Sequence, residues 1–146
     1  MLTLQSDSFQ VPDQYDAIQN LYLERGWTDG LPITPPTPER VQEMLSCSDM
    51  PADQVICEVP PNWGAATVEK LAINAVMAGC LPEYFPVLTT TLQTLEEEKN
   101  FVHMASASTS SPAILMVLNG PIRDQIGANY KDGLLGPGNR ANAVLG

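Results

Sequence analysis

The chain has 146 residues, 44% of them hydrophobic and 16% charged, which suits one domain with a real core and argues against two domains or wholesale disorder. Seventeen acids against seven bases give a net charge of −10. That balance argues against nucleic acid and anionic membrane surfaces as partners, since both need clustered Lys and Arg, although acidity also serves plain solubility.

No stretch approaches about 18 consecutive apolar residues, so no membrane-crossing helix is expected. The N-terminus "MLTLQSDSFQVPDQYD" lacks the basic and apolar regions of a signal peptide. Cys47, Cys57 and Cys80 form an odd set without a C-x-x-C pair, and one histidine with scattered carboxylates offers no metal-ligand spacing. A reduced, cytoplasmic protein without metal or cofactor is expected.

Residues 1–12 are polar and read as a flexible arm before a single globular domain, 13–146. Asp13 reads as the N-cap of a helix to about Arg25. Tyr15, Ile18, Leu21 and Tyr22 recur at helical spacing, and Gly26 supplies the stop. "GWTDGLPITPPTPER" is a rigid connector, its two glycines and four prolines unable to continue a helix. Thr37 then caps a second helix, with Pro38 at its first position and Val41, Met44 and Leu45 on the inner face.

"QVICEVP" alternates with β-branched residues and reads as a strand that faces Cys57 inward; "PPNWGAA" breaks it. Thr67 caps a helix over about 68–78, apolar on almost every side and therefore central. Pro82 and Glu83 open the next helix, to about Lys99. "FVHMASAST" reads as a short strand entering a loop, and "AILMVLNG" as a buried strand closed by Asn119-Gly120-Pro121. A short helix runs from Pro121 to about Ile126, and another begins at Arg140 and lasts barely two turns, too short to stand alone. The expected architecture is α/β or α+β, helix-rich, with a small sheet.

Asn74 lies in the apolar helix, where an unpaired amide costs about 1–3 kcal/mol, so it must meet a loop backbone, another side chain or a ligand. Cys80 sits between the C-terminus of one helix and the N-terminus of the next, dipole ends that act oppositely on a thiol; the alternatives are a nucleophile or redox group and inert packing. Cys47 and Cys57 are weaker thiol candidates, and nothing in the sequence brings His103 to Cys80. Trp27, Thr28 and Asp29 form either a structural turn or a pocket wall. Gly136 and Gly138 lead into the helix carrying Arg140, either as a plain turn or as a cradle for a carboxylate or phosphate. The segment is neither a P-loop nor a dinucleotide fingerprint, and Arg123 and Arg140 stand out because cations are scarce.

"YLERGWTDGLPITPPTPERVQEML", "TVEKLAINAVMAGCLPEYFPVL", "LNGPI" and "GPGNRANAVLG", in that order over residues 21–146, resemble an uncharacterised bacterial family associated with the UGSC-like (seleno)proteins. The resemblance implies a common site of Trp27, Asp29, Asn74, Cys80, Asn119, Arg140 and Asn142. The chain lacks a U/C-Gly-Ser-Cys motif, so selenol or dithiol chemistry belongs to another domain or subunit. The family's pattern continues the last helix past Gly146, so either a neighbouring subunit supports that short helix or the natural chain is longer.

Two functions compete. One is a thiol-dependent enzyme, or a subunit of one, acting on a small anionic molecule: Cys80 is the thiol, Asn74 and Asp29 orient, and Trp27, Thr28, Asn119, Gly138, Arg140 and Asn142 hold the substrate. The other is a non-catalytic ligand-binding or structural subunit. The short last helix and apolar segment 113–118 suggest surface buried between chains, either in a homo-oligomer or against a larger subunit.

Overall fold

The computed structural model describes residues 4–109 and 112–146. It is a helix-rich α+β arrangement with a two-stranded antiparallel sheet, as the sequence leads one to expect. The expected arm of residues 1–12 includes 1–3, which lie outside the described residues.

Helix α1 (Tyr15–Glu24) stops at Gly26, whose φ of +65° favours glycine. Its N-cap is Gln14 rather than Asp13, without a side-chain capping bond. Only Tyr22 of its apolar set is buried; Tyr15 is 65% exposed. After the proline connector, α2 (Pro38–Leu45) starts from Thr37 with Pro38 in its first turn, and buries Val41, Met44 and Leu45.

Strand β1 (Val55–Val59) pairs with β2 (Gly64–Thr67). The second strand forms where a break was expected, because the turn after Val59 returns the chain through Ala65 and Ala66, small residues that lie flat against β1. An irregularity between Val55 and Cys57 breaks the strict alternation: Cys57 is buried while Val55 and Val59 are exposed.

Helix α3 (Val68–Met77) is capped by Thr67, whose hydroxyl accepts the Lys70 amide. It packs on α2 through Val68, Ala72, Ala75 and Val76, small enough for close approach. A 3-10 turn (Pro82–Tyr84) leads into α4 (Phe85–Glu97), which covers β1 and α3. Phe85 is fully buried in this core, where truncating a phenylalanine to alanine typically costs about 3–5 kcal/mol.

Two expectations fail beyond α4. The 101–109 stretch is helical over most of its length: α5 (Lys99–Ser106) forms where a strand was expected, since Met104 and Ala105 are good helix formers and, among the described residues, no strand pairs with the stretch. Segment 113–118 is extended but, among the described residues, pairs with no strand, and much of it is exposed rather than buried. Helices α6 (Ile122–Gln125) and α7 (Arg140–Leu145) close the chain and contribute Ile126, just past α6, and Ala141 to the core.

Candidate functional site

The junction of α3 and α4 is where the sequence concentrated its chemistry. Helix α3 ends in a Schellman arrangement: the Gly79 amide donates to Val76 O and the Cys80 amide to Ala75 O, both at 2.9 Å, with Gly79 at φ +84°. This geometry turns Cys80 inward, 8% exposed in the hydrophobic core, with its thiol donating to Val144 O at 3.4 Å.

Burial pushes the Cys80 thiol above its ordinary value; the Arg140 charge opposes that shift without reversing it. Burial, followed by the neighbouring Glu96 charge, pushes the Cys57 thiol up as well. At neutral pH Cys80 is therefore a protonated donor packed among hydrocarbon.

Arg140 comes to the same junction from α7. Its Nε and Nη2 donate to Gly79 O at 3.0 and 2.7 Å, so the guanidinium fork closes on the carbonyl that precedes Cys80. Thus Cys80 and Arg140 do meet, and the bonds they make there fasten α7 to the end of α3.

The other expected site residues do not converge on them. Asn74 is exposed rather than buried, and its Nδ2 donates to Lys70 O one turn back at 2.8 Å. The helix is not apolar all round: Lys70 and Asn74 lie on a solvent stripe, and the buried polar residue is Glu69 instead. Thr28 shapes its own turn, accepting from the Gly30 amide at 3.1 Å and donating to Leu31 O at 2.7 Å, with Asp29 exposed at the tip. Trp27 packs edge-on against Phe9 and at a tilt against Tyr22, with centroids at 5.6 and 5.8 Å. Asn119 Oδ1 accepts the Gly120 amide.

Asn142 is half-buried and spends its amide on the preceding loop: Oδ1 accepts from Asn129 N, and Nδ2 donates to Asn129 O and Leu134 O, at 2.8 to 3.0 Å. Asn139 caps α7 through the Asn142 amide and donates to Gly127 O. Gly138, at φ +110°, lines an open cleft of about 570 Å³ with Asn129, Lys131 and Asp132. Among the described residues, no group of three or more His, Cys, Asp or Glu is placed to hold a metal ion.

Glu69 is the residue sequence reasoning missed. Its carboxylate is 3% exposed and accepts the Gln5 and Ser6 amides at 2.7 to 3.1 Å, pinning the N-terminal arm to the first turn of α3. Its place in a helix's first turn was visible; the arm that covers it was not.

The most unusual surface is the segment after α5. Residues 112–119 run extended along α4, where Thr91 donates to Met116 Sδ at 3.2 Å and Leu118 packs on the core. Met116 and Leu118 are half-buried, whereas Ile114, Leu115 and Val117 are 63%, 75% and 82% exposed. Among the described residues, no backbone hydrogen bond joins 112–119 to another segment. A groove of about 430 Å³ runs between this segment and Thr90, Thr94 and Leu95.

No known family, curated protein or solved structure matches this chain. Among the described residues, no helix is long and apolar enough to cross a membrane.

Proposed function

We propose that this protein is a non-catalytic subunit of an oligomer, assembled through the apolar extended segment Ala113–Leu118. The observation that carries the reading is the exposure of Ile114, Leu115 and Val117 on a backbone that, among the described residues, has no strand partner. An extended apolar edge of this kind is a template for another polypeptide, and soluble proteins otherwise cover or charge it. The net charge of −10 supports a protein rather than a nucleic acid as the partner. Three unpaired cysteines fit a reducing compartment such as the cytoplasm.

A thiol-dependent enzyme acting on a small anionic molecule is the second reading, favoured by the guanidinium of Arg140 beside Cys80. Burial of the sulfur and commitment of that guanidinium to Gly79 O weigh against it.

Light scattering across a hundredfold concentration range, with amide exchange of 113–118, tests the subunit reading. A particle heavier than one 15.8 kDa chain, with these amides exchanging more slowly as it forms, is expected. A single-chain mass throughout, with the same amides exchanging as in an open chain, overturns it.

A further inference from the structure

We propose that residues 4–31 open and close on the rest of the molecule as one unit, a lid made of α1 with the N-terminal arm as its strap.

Two apolar clusters meet in this molecule without merging. The main core gathers side chains of α2, α3, α4 and α7. Among the described residues, no buried or half-buried apolar side chain between Leu4 and Val41 belongs to that core or packs against it. Tyr22, the buried residue of α1, lies instead against Trp27, which in turn meets Phe9. The Arg25 guanidinium sits 4.5 Å over the Phe9 ring and helps to hold it there. Helix α1 thus carries a small cluster of its own.

The arm ties the two clusters together. Leu4 packs on the main core and the Gln5 and Ser6 amides donate to the Glu69 carboxylate, whereas Phe9 belongs to the cluster of α1. Three residue steps separate Ser6 from Phe9, a reach of at most about 11 Å. Helix α1 therefore cannot swing out with Phe9 attached unless Gln5 and Ser6 leave Glu69. The hinge on the other side is the stretch 28–33. Among the described residues no backbone-to-backbone hydrogen bond involves it, and Gly30 takes φ +123°. The chain is fastened again at Thr34, whose amide donates to Met77 O at 3.2 Å.

Closed, the arm supplies donors to a carboxylate that is 3% exposed; open, it bares that carboxylate to water together with the surface under Leu4. A unit that shares so little of the main core opens at a lower free energy than the whole domain unfolds.

Amide exchange of the full chain tests the lid. Ser6→Pro removes the 2.7 Å donor without touching the body, and Glu69→Gln weakens the same catch from the other side. Each should speed exchange at Gln5 and over Gln19–Glu24 of α1 by the same factor, at least tenfold, and leave Thr89–Thr94 of α4 unchanged. Phe9→Ala cuts the strap from α1: α1 should then exchange faster while Gln5 keeps its wild-type rate, and adding Ser6→Pro should give α1 no further gain. Faster exchange at Gln5 with α1 unchanged in Ser6→Pro overturns the lid, because the arm then moves alone. Equal acceleration of α1 and α4 in that variant overturns it too, because α1 then opens only with the whole domain.

Discussion

Asn142 engages the backbone of Asn129 as a strand residue engages its neighbour, accepting from its N–H at 2.8 Å and donating to its C=O at 2.9 Å. A third bond to Leu134 O lets one side chain hold two points of the loop between α6 and α7. The loop has little regular structure of its own, so the clamp defines its path.

Asn142→Ala should therefore cost about 1–3 kcal/mol, with each lost bond worth about 1 kcal/mol and part of that recovered from water. Asn74→Ala, at an exposed site whose amide donates one turn back along its own helix, should stay within about 0.5 kcal/mol. Urea denaturation of both variants measures the contrast. Equal losses would mean that the loop does not depend on its asparagine.

The Cys80 thiol should resist alkylation at neutral pH in the folded protein. Burial raises its value above the ordinary 9.0, so half-maximal reactivity should fall above pH 9.0. A thiol whose folded value is raised contributes stability that is present below its unfolded value and lost as pH rises through the folded one. Alkaline denaturation should accordingly steepen above pH 9.0. Rapid modification near pH 7 would reveal an activated nucleophile and revive the thiol-enzyme reading.

Glu69→Gln should free the N-terminal arm. Burial raises the Glu69 carboxyl, but hydrogen bonds from the Ser6 side chain and the Gln5 and Ser6 amides outweigh it and hold the group below 4.5. A depressed carboxyl contributes stability that is present above its unfolded value and lost as pH falls through the folded one. The variant should be about 1–3 kcal/mol less stable than wild type at pH 7, a gap that narrows below pH 4.5. Amide exchange at Gln5 and Ser6 should accelerate with it. A gap of equal size at pH 7 and pH 3 would assign the loss to packing instead of charge.

Helix α2 was legible almost residue by residue, because Pro38 and the spacing of Val41, Met44 and Leu45 act locally, although Thr37 holds the N-cap position without a side-chain capping bond. The ends of α3, the turn at Gly120 and the start of α7 were legible for the same reason. The apolar character of 113–118 was equally plain, but its burial was inferred from composition, and composition cannot supply a neighbouring strand. Asn74 misled similarly: surrounding hydrophobic letters suggested a buried face, yet its angle around the helix placed it with Lys70 toward water. The meeting of Cys80 with Arg140 was anticipated, but its use as a fastening was not.

By itself the sequence determined the acidic charge, the helices whose caps and apolar spacing agree, and the turns that only glycine or proline permits, since these depend on contacts within a few residues. Only the tertiary structure decided that Glu69 is covered by Gln5 and Ser6, that Arg140 closes on Gly79, and that Ala113–Leu118 pairs with no strand among the described residues. Each of these depends on which distant segment arrives to satisfy a polar group or cover an apolar one, and periodicity along a chain carries no record of that arrival.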